Sequence, residues 1–490
     1  MRKLVIHILH PYMNFSKSVF LVFFFALSSC ATLQLEGLPI HAIEDATDNK
    51  PNRAVFRSWQ HTDPNADGLP GMSVHRAHTS LINEKEGNNV IVAIIDTGID
   101  IDHEDLEGVI WVNTDEVPNN GIDDDKNGYV DDVHGWNFLG DSQGDQYELI
   151  RMLRSQKNFP EKEEAIKQYA DKIKSETNDD IETIIENLSG NLYHYNDGIK
   201  QSLSLSWNAR TTGDDPDDFS QRFYGDSDIH PKDDDEAHGT HVAGIVAANR
   251  SNNLGMKGVA DKVFIMTLRA VPNKGDEYDK DIALSIRYAA DNGADIVNMS
   301  FGKGFSPHSD KVREAIIYAE SKGVLLVNAA GNDGADIDKV PTYPNDSVDN
   351  APEVANNMIT VGAIGPSLNY RMVAPFSNYG INNVDIFAPG AIVYSTTPSN
   401  NYNSFSGTSM AAPAVSGVAA LIRSYFPKLS PRAVKKVIME SGLTIATDVR
   451  VGADGLETQL AEVSRTGKIA NAFNALLFAS THYKMLKKLK

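Results

Sequence analysis

The sequence predicts a doubly wound α/β fold, in which a parallel β-sheet is flanked by helices. Short apolar runs recur along the chain and end in a polar residue or a glycine, as buried parallel strands do. Helical segments lie between these runs, and Asp279–Gly293 and Ser309–Gly323 each close on a glycine suited to a helix C-cap. This alternation of strands with helices favours a parallel sheet covered by helices.

Apolar runs at six places carry the strand prediction. They are VIVAIID (Val90–Asp96), VFIMTLR (Val263–Arg269), DIVNMS (Asp295–Ser300), VLLVNAA (Val324–Ala330), MITVGAI (Met358–Ile364) and VDIFAPG (Val384–Gly390). In open α/β sheets, functional sites gather at the carboxyl ends of the strands. Asp96, Ser300 and Asn332 stand at or just beyond such ends, so they are candidate site residues.

The composition excludes one class of partner and one means of stabilisation. The 490 residues carry a formal net charge of −21, whereas nucleic-acid-binding proteins are basic. Cys30 is the single cysteine, so no intrachain disulfide can form. The acidic balance suits a secreted or cell-surface protein that holds divalent cations, although a solvated acidic surface is the simpler explanation.

The N-terminal residues have the pattern of an export signal. Lys17 precedes an apolar run from Val19 to Leu27, which is too short for an ordinary transmembrane helix. The tetrapeptide that ends at Cys30 resembles a bacterial lipoprotein processing box, which implies cleavage before Cys30 and lipidation of its sulfur. We therefore predict a signal peptide over 1–29 and a tether over 30–55, with a lipid-anchored protein facing the periplasm or the exterior. An uncleaved anchor, or a plain secretory signal with a chance cysteine, is the alternative.

The rest of the chain is predicted to form one domain, residues 56–480, followed by a basic tail over 481–490. The segment from about 141 to 232 breaks the rhythm of strands and helices. Helical spacing between Ile166 and Leu188 predicts one or two amphipathic surface helices, and Gly213–Ser220 is predicted to be a mobile loop. We interpret this stretch as an insertion, which either restricts substrates, binds a partner or only decorates the surface.

The stretch FSGTSMAAPAVSGVAALI, from Phe405 to Ile422, joins a turn to an apolar helix of small residues. Ser409 is expected at or near the helix N-terminus, where unpaired N–H groups and the helix dipole favour developing negative charge. An acyl-transfer nucleophile needs that arrangement, because the oxyanion must find its donors in place. A plain helix N-cap is the alternative for an isolated serine.

Motifs elsewhere in the chain decide between these alternatives. DTGID places Asp96 at the end of a buried strand, HGTHVAGIVAA places His238 in a turn before a small-residue helix, and NAAGNDG places Asn332 in a glycine-flanked loop. With these motifs in the order Asp, His, Ser, the chain resembles the subtilisin-like serine proteases from about Asn89 to Ala479.

The resemblance implies a serine endopeptidase that acts on extended polypeptide. Ser409 would be the nucleophile and His238 the general base, with Asp96 holding the imidazole tautomer. Asn332 and the backbone N–H of Ser409 would bind the oxyanion, and His241 would be structural. In the family, main-chain groups corresponding to Ser300 and Gly302 pair with the substrate. Ala330 and Gly331 would form a wall of little bulk beside the first substrate pocket.

Calcium is the predicted cofactor. Asp123, Asp125 and Asn127 have the spacing of a calcium loop, with Asp131 following, although His134 stands where a regular EF-hand has Glu. Oxygen ligands without nearby thiols favour calcium over zinc, and an Asx-rich turn is the alternative. The resemblance also implies a shared calcium between Asp105 and the loop from Asn249 to Met256. We interpret Asp233–Glu236, just before His238, as a solvated run that could also hold a cation or raise the pKa of His238.

Overall fold

The computed structural model describes residues 56–82, 85–154, 210–452 and 454–489. Their central element is a nine-stranded sheet, whose strands are β1 Val90–Asp96, β2 Gly135–Asn137, β3 Val263–Arg269, β4 Ile296–Met299, β5 Leu325–Ala329, β6 Met358–Ile364, β7 Ile386–Pro389, β10 Leu443–Thr444 and β13 Lys468–Ile469. The strand order is β10-β13-β7-β6-β5-β4-β1-β3-β2. All strand pairs in it are parallel except β10 with β13.

Two antiparallel hairpins complete the strands. They are β8 Val393–Thr397 with β9 Asn401–Phe405, and β11 Asp448–Val451 with β12 Leu456–Gln459.

Helices pack on both faces of the sheet, which creates two hydrophobic cores. They are α1 Pro64–Asp67, α2 Val74–Ala77, α3 Glu148–Arg154, α4 His238–Ala247, α5 Asp279–Asp291, α6 Ser309–Ser321, α7 Thr408–Tyr425, α8 Pro431–Ser441 and α9 Ala472–Leu486. One core includes α4, α7, α8 and α9, and the other includes α5 and α6. Among the described residues, no helix is both long and apolar enough to cross a membrane.

The six predicted strands are all present, and β1, β3 and β6 have the predicted bounds. Gly293 and Gly323 follow α5 and α6 with φ of 78° and 82°, the left-handed conformation that suits a glycine after a helix.

The segment predicted as a basic tail continues the last helix. Helix α9 extends to Leu486, so it includes most of the predicted basic tail, and the Leu486 side chain is fully buried. The apolar contact of Leu486 with the core outweighs the local excess of lysine.

The described ends of the predicted insertion are firmly attached to the domain. Asp214, within the predicted mobile loop, has a 4% exposed side chain and forms ion pairs of 2.6 Å with Arg210 and Lys280. The segment has no helix or strand, but this buried carboxylate fixes it against α5. The predicted helices between Ile166 and Leu188, like Cys30, lie outside the described residues.

Candidate active site

Asp96 and His238 meet at the carboxyl end of the sheet. Asp96 is the last residue of β1 and is 1% exposed, and His238 is the first residue of α4. The Nδ1 of His238 lies 2.6 Å from Oδ1 of Asp96. Since an ionised carboxylate can only accept, this bond places the imidazole proton on Nδ1 and leaves Nε2 as a proton acceptor.

The electrostatic balance at His238 favours the protonated ring. Burial alone lowers the pKa of His238, but the adjacent Asp96 carboxylate outweighs that effect, and the pKa is raised above 6.5. The imidazole side chain keeps 34% of its surface exposed, so it can reach a substrate. A base of this kind can take a proton at neutral pH and stay stable as imidazolium.

Ser409 stands in the first turn of α7, half-buried, as the sequence analysis expected. Its Oγ donates a hydrogen bond to the carbonyl oxygen of Ser300 at 3.0 Å. The hydroxyl must therefore rotate from Ser300 toward His238 before it can lose its proton. Catalytic hydrogen bonds are often absent in structures without substrate, so the observed rotamer is compatible with a nucleophile.

Pro413 explains why Ser300 contacts Ser409 a second time. Pro413 lies four residues after Ser409 in α7 and has no N–H to donate to the Ser409 carbonyl. The Ser300 hydroxyl donates to that carbonyl instead, at 2.9 Å. Asn298 in turn donates to the Ser300 hydroxyl at 2.9 Å. The first turn of α7 is thereby fixed to the end of β4.

The Asn332 side chain and the Ser409 backbone border the same space beside Gly407. Nδ2 of Asn332 and the backbone nitrogen of Ser409 lie 3.6 Å, and Oδ1 of Asn332 lies 3.7 Å, from the position that a β-carbon on Gly407 would occupy. Oδ1 of Asn332 accepts from the Thr408 backbone N–H at 2.8 Å and from the Thr408 hydroxyl at 3.1 Å. These bonds fix which way the amide faces, so Nδ2 is available to an external oxygen anion.

A comparison of the sequence with protein families accounts for this arrangement of acid, imidazole, serine and amide. The profile of the subtilase family matches residues 87–465. The chain belongs to the subtilase family. The span includes all the motifs on which the predicted site depends.

Subtilase relatives with curated descriptions align over less than half of the chain. Subtilisin DY from Bacillus licheniformis is 36% identical over 219 residues, which are 45% of this chain and 75% of that protein. The thermophilic serine proteinase from Bacillus sp. strain AK1 is 42% identical over 199 residues, 41% of this chain and 45% of that protein. Thermitase from Thermoactinomyces vulgaris is 39% identical over 199 residues, 41% of this chain and 65% of that protein. The chain thus spans less than two thirds of the last two relatives.

A solved structure shares the fold. A structure described as proteases from Pseudoalteromonas arctica PAMC 21717 matches 86% of this chain and 96% of its own, with a TM-score of 0.50 and 23% identity. The predicted subtilisin-like α/β fold is confirmed.

The residues predicted to bind substrate occupy two neighbouring segments beside Ser409. Gly302 is exposed, whereas Ser300 is 3% exposed and both its carbonyl and its hydroxyl contact Ser409. Ala330 is buried, and the Gly331 N–H donates to the Thr408 hydroxyl at 3.0 Å. The Ser300 side chain is therefore structural, and any contact with substrate falls to the main chain of its segment.

The first helix of the insertion is joined to this segment by ion pairs. Lys303, 2% exposed, lies 2.7 Å from Glu148 of α3 and 2.9 Å from Asp279 of α5. Arg151 of α3 also pairs with Glu148, at 2.6 Å. Part of the insertion is therefore anchored one residue after Gly302, beside the predicted substrate groove.

Part of the predicted calcium loop forms a compact group of carboxylates. Glu116, Asp123 and Asp125 each offer an oxygen within 4.8 Å of the others. This is the only such cluster of three among the described residues. Glu116 was not predicted, because it lies seven residues before Asp123 and outside the loop motif. Oxygen donors at this spacing fit a hard cation such as calcium.

The other predicted metal ligands make hydrogen bonds, some of them within the same loop. Asp131 accepts from two backbone N–H groups, each at 3.0 Å, of Asn120 and Gly121. The Asn127 amide donates to Asp125 at 3.0 Å. Buried Asp105 does meet the predicted loop, but its two oxygens accept from the Asn252 side chain at 2.8 Å and the Met256 N–H at 3.0 Å. Among the described residues, Asp105 belongs to no group of three metal-ligating side chains.

Two residues near His238 differ in environment. His241 is fully buried, stacks on Phe405 at 4.3 Å, and its Nε2 lies 3.1 Å from the Val393 carbonyl oxygen, which indicates a packing role. Glu236 corrects the interpretation of Asp233–Glu236 as a solvated run. It is 1% exposed and pairs with Arg269, because the turn before α4 folds it under the domain while Asp233 and Asp235 stay exposed.

Proposed function

We propose that this protein is a serine endopeptidase that hydrolyses peptide bonds of extended polypeptides through an acyl-enzyme on Ser409. The observation that carries the proposal is the 2.6 Å Asp96–His238 contact at the sheet edge where Ser409 Oγ lies 3.0 Å from the Ser300 carbonyl oxygen, just beyond the adjacent strand β4. The Asn332 amide and the Ser409 N–H both border Gly407. A helix cap needs none of these neighbours. An acyl-transfer site needs them all, because nucleophile, base and oxyanion donors must act together.

The residues divide the reaction between them. The Ser409 Oγ attacks the scissile carbonyl carbon while its proton passes to Nε2 of His238, and the C=O electron pair moves onto oxygen. Asn332 Nδ2 and the Ser409 N–H donate to that oxyanion. His238 then gives its proton to the leaving amine as the C–N bond breaks. Water, activated by His238, attacks the acyl-enzyme and releases the acid.

A fluorophosphonate probe tests the assignment directly. We expect the probe to label the wild-type protein and the Ser404→Ala variant, since Ser404 is an exposed serine of β9 in the same region. Ser409→Ala should not be labelled. Labelling that survives Ser409→Ala would show that another residue is the nucleophile. A wild-type protein that is not labelled would favour a binding protein that has the fold without the activity.

We further propose that lipidation of Cys30 anchors the enzyme in the bacterial cell envelope. The support is the sequence at Leu27–Cys30, which resembles a lipoprotein processing box. Full-length protein expressed in bacteria should partition into detergent on Triton X-114 phase separation, and the Cys30→Ser variant into the aqueous phase. An aqueous wild-type protein would argue for a plain secretory signal.

We also propose that Glu116, Asp123 and Asp125 hold a structural calcium ion. Their grouped oxygens support this, and so does the hard-ligand chemistry of the loop. The bound ion would neutralise part of the repulsion between these carboxylates and stabilise the loop between β1 and β2. Catalysis by Ser409 would not pass through it.

A further inference from the structure

Glu236 and Arg269 form a buried ion pair directly behind the proposed catalytic dyad. Nε of Arg269 lies 2.7 Å from Oε1 of Glu236, and Nη2 lies 3.2 Å from Oε2. The two side chains are 1% and 0% exposed. Burying such a pair costs free energy, because both charged groups lose their hydration. Well-packed apolar residues can often replace the pair without loss of stability. Stability alone is therefore a weak reason for its presence.

The Glu236 carboxylate binds the segments that carry both members of the dyad. Glu236 precedes His238 by two residues, and its Oε1 accepts from the N–H of Gly98, two residues after Asp96, at 2.7 Å. The same two segments touch again where the Gly239 N–H donates to the Thr97 hydroxyl at 2.9 Å. A β-carbon on Gly239 would lie 2.6 Å from the Thr97 carbonyl oxygen, so the backbones are in direct contact.

Arg269 holds Glu236 in that place. It is the last residue of β3 and stands opposite Asp96 in the parallel register. Besides Glu236, its guanidinium donates to Asn137 Oδ1 at 3.2 Å, to the Gly140 carbonyl at 3.1 Å and to the Ser142 carbonyl at 2.7 Å. All five N–H groups are used, and they fix the planar group in a single orientation.

We propose that Glu236, held by Arg269, is a positioning residue that sets His238 against Asp96. The Glu236 carboxylate joins the turn after Asp96 to the turn before His238. It therefore fixes the distance between Asp96 and His238, which come from separate segments of the chain. Arg269 also binds Gly140 and Ser142 at the start of the insertion, so it couples the insertion to Glu236 and, through Glu236, to the Asp96–His238 pair. This inference rests on the proposed function, in which His238 is the general base.

The test removes both charges at once, because removing one would leave the other buried and unpaired. In the full-length enzyme, the double variant Glu236→Leu/Arg269→Met should lower kcat per titrated active site by about a hundredfold, the cost of misplacing a catalytic group by about 1 Å. KM should change by less than about twofold, because the substrate-binding groups are untouched. The low-field proton resonance of His238 Nδ1 should shift or broaden.

Two further variants keep the test decisive. Arg269→Lys retains the charge but cannot donate five bonds, so it should fold and lower kcat about tenfold even where the double variant unfolds. The matched control is Asp295→Asn/Arg423→Met, which removes a 2.7 Å ion pair at the opposite end of the sheet, where Asp295 also binds the Ile91 N–H. This control should lose stability but keep its kcat.

The inference would be overturned if folded Glu236→Leu/Arg269→Met or folded Arg269→Lys kept the wild-type kcat and an unchanged Nδ1 resonance. The proposed function would then remain intact. Failure of the wild-type protein to react with the fluorophosphonate probe would overturn both. Counting active sites with that probe separates a fall in kcat from a loss of folded enzyme.

Discussion

Thr408 holds the side-chain amide of Asn332 through two hydrogen bonds to the same oxygen, one from its backbone at 2.8 Å and one from its hydroxyl at 3.1 Å. Thr408 is fully buried and immediately precedes Ser409. The residue before the nucleophile therefore orients the oxyanion donor. The sequence analysis did not single out Thr408, although the GTS in the motif contains it.

The first prediction concerns this donor. Asn332→Ala should lower kcat about 100- to 1000-fold, the loss known for the equivalent change in subtilisin, a relative. KM should change little, because the bond forms in the transition state. Thr408→Val should lower kcat about tenfold, because the amide loses one of the two bonds that orient it, whereas Thr408→Ser should stay near wild type. Steady-state kinetics on a peptide substrate measures both, and an unchanged kcat in Asn332→Ala would remove Asn332 from the site.

The second prediction concerns pH. The pKa of His238 is raised above 6.5 because the Asp96 carboxylate outweighs burial. A general base must be neutral, so kcat/KM should fall as the pH decreases through that raised value. In Asp96→Asn only the effect of burial remains, so the acid limb should move to lower pH while kcat falls about 10⁴-fold. If the acid limb of the kcat/KM profile of Asp96→Asn lies at the same pH as in the wild type, a group other than His238 controls it.

The third prediction concerns calcium. Chelation should lower the melting temperature of the wild-type protein, since an ion at a hundred times its Kd adds about 2.7 kcal/mol to the stability of the state that binds it. Asp123→Asn/Asp125→Asn should melt lower and respond little to chelator. Asp124→Asn is the control, because its carboxylate only accepts bonds from Val117 and Asn120 in the same loop. Differential scanning calorimetry with and without chelator makes the comparison, and equal wild-type curves would mean that the loop binds no calcium.

The fourth prediction concerns Asp346, which is 9% exposed. Burial raises its pKa from 3.8 to about 7, with Lys435 opposing the change and Glu353 and Asp385 adding to it. The folded state therefore keeps a proton that the unfolded chain releases. It follows that this group's contribution to stability falls as the pH rises from 3.8 to about 7.

Asp346→Asn should consequently melt at least about 2 °C above the wild type near pH 8, with the difference smaller or reversed near pH 5. The control is Asp349→Asn, an exposed aspartate three residues away, which should show no such dependence. Thermal melts at both pH values measure the effect. A pH-independent difference for Asp346→Asn would contradict the raised pKa.

The sequence signals for the candidate site are mostly local. The apolar run before Asp96 is a strand in the structure with the same bounds, and the small-residue helix after Ser409 extends to Tyr425. The motifs then placed Asp96, His238 and Asn332 beside the same edge of the sheet. The metal prediction was less complete, because Glu116 joins Asp123 and Asp125 only when the loop closes on itself.

Long-range contacts explain what the sequence analysis could not foresee. The acidic run before His238 was assigned to solvent, and Glu236 within it is buried against Arg269, 33 residues later in the chain. The prediction for Ser300 concerned its main chain, and the structure adds that its hydroxyl binds the Ser409 carbonyl, 109 residues away. Composition along a short window cannot reveal such partners.

By itself the sequence determined the fold class and the order of strands and helices, because periodicity and glycine spacing are local properties of the chain. Its resemblance to the subtilisin-like proteases indicated the residues proposed for the chemistry. Only the tertiary structure decided which polar groups are buried and what they hold: Thr408 on Asn332, Ser300 on the first turn of α7, and Glu236 with Arg269 behind His238. The physical reason is that burial and ion pairing depend on which distant segments pack together. In a parallel sheet those segments are neighbours in space and far apart in the chain.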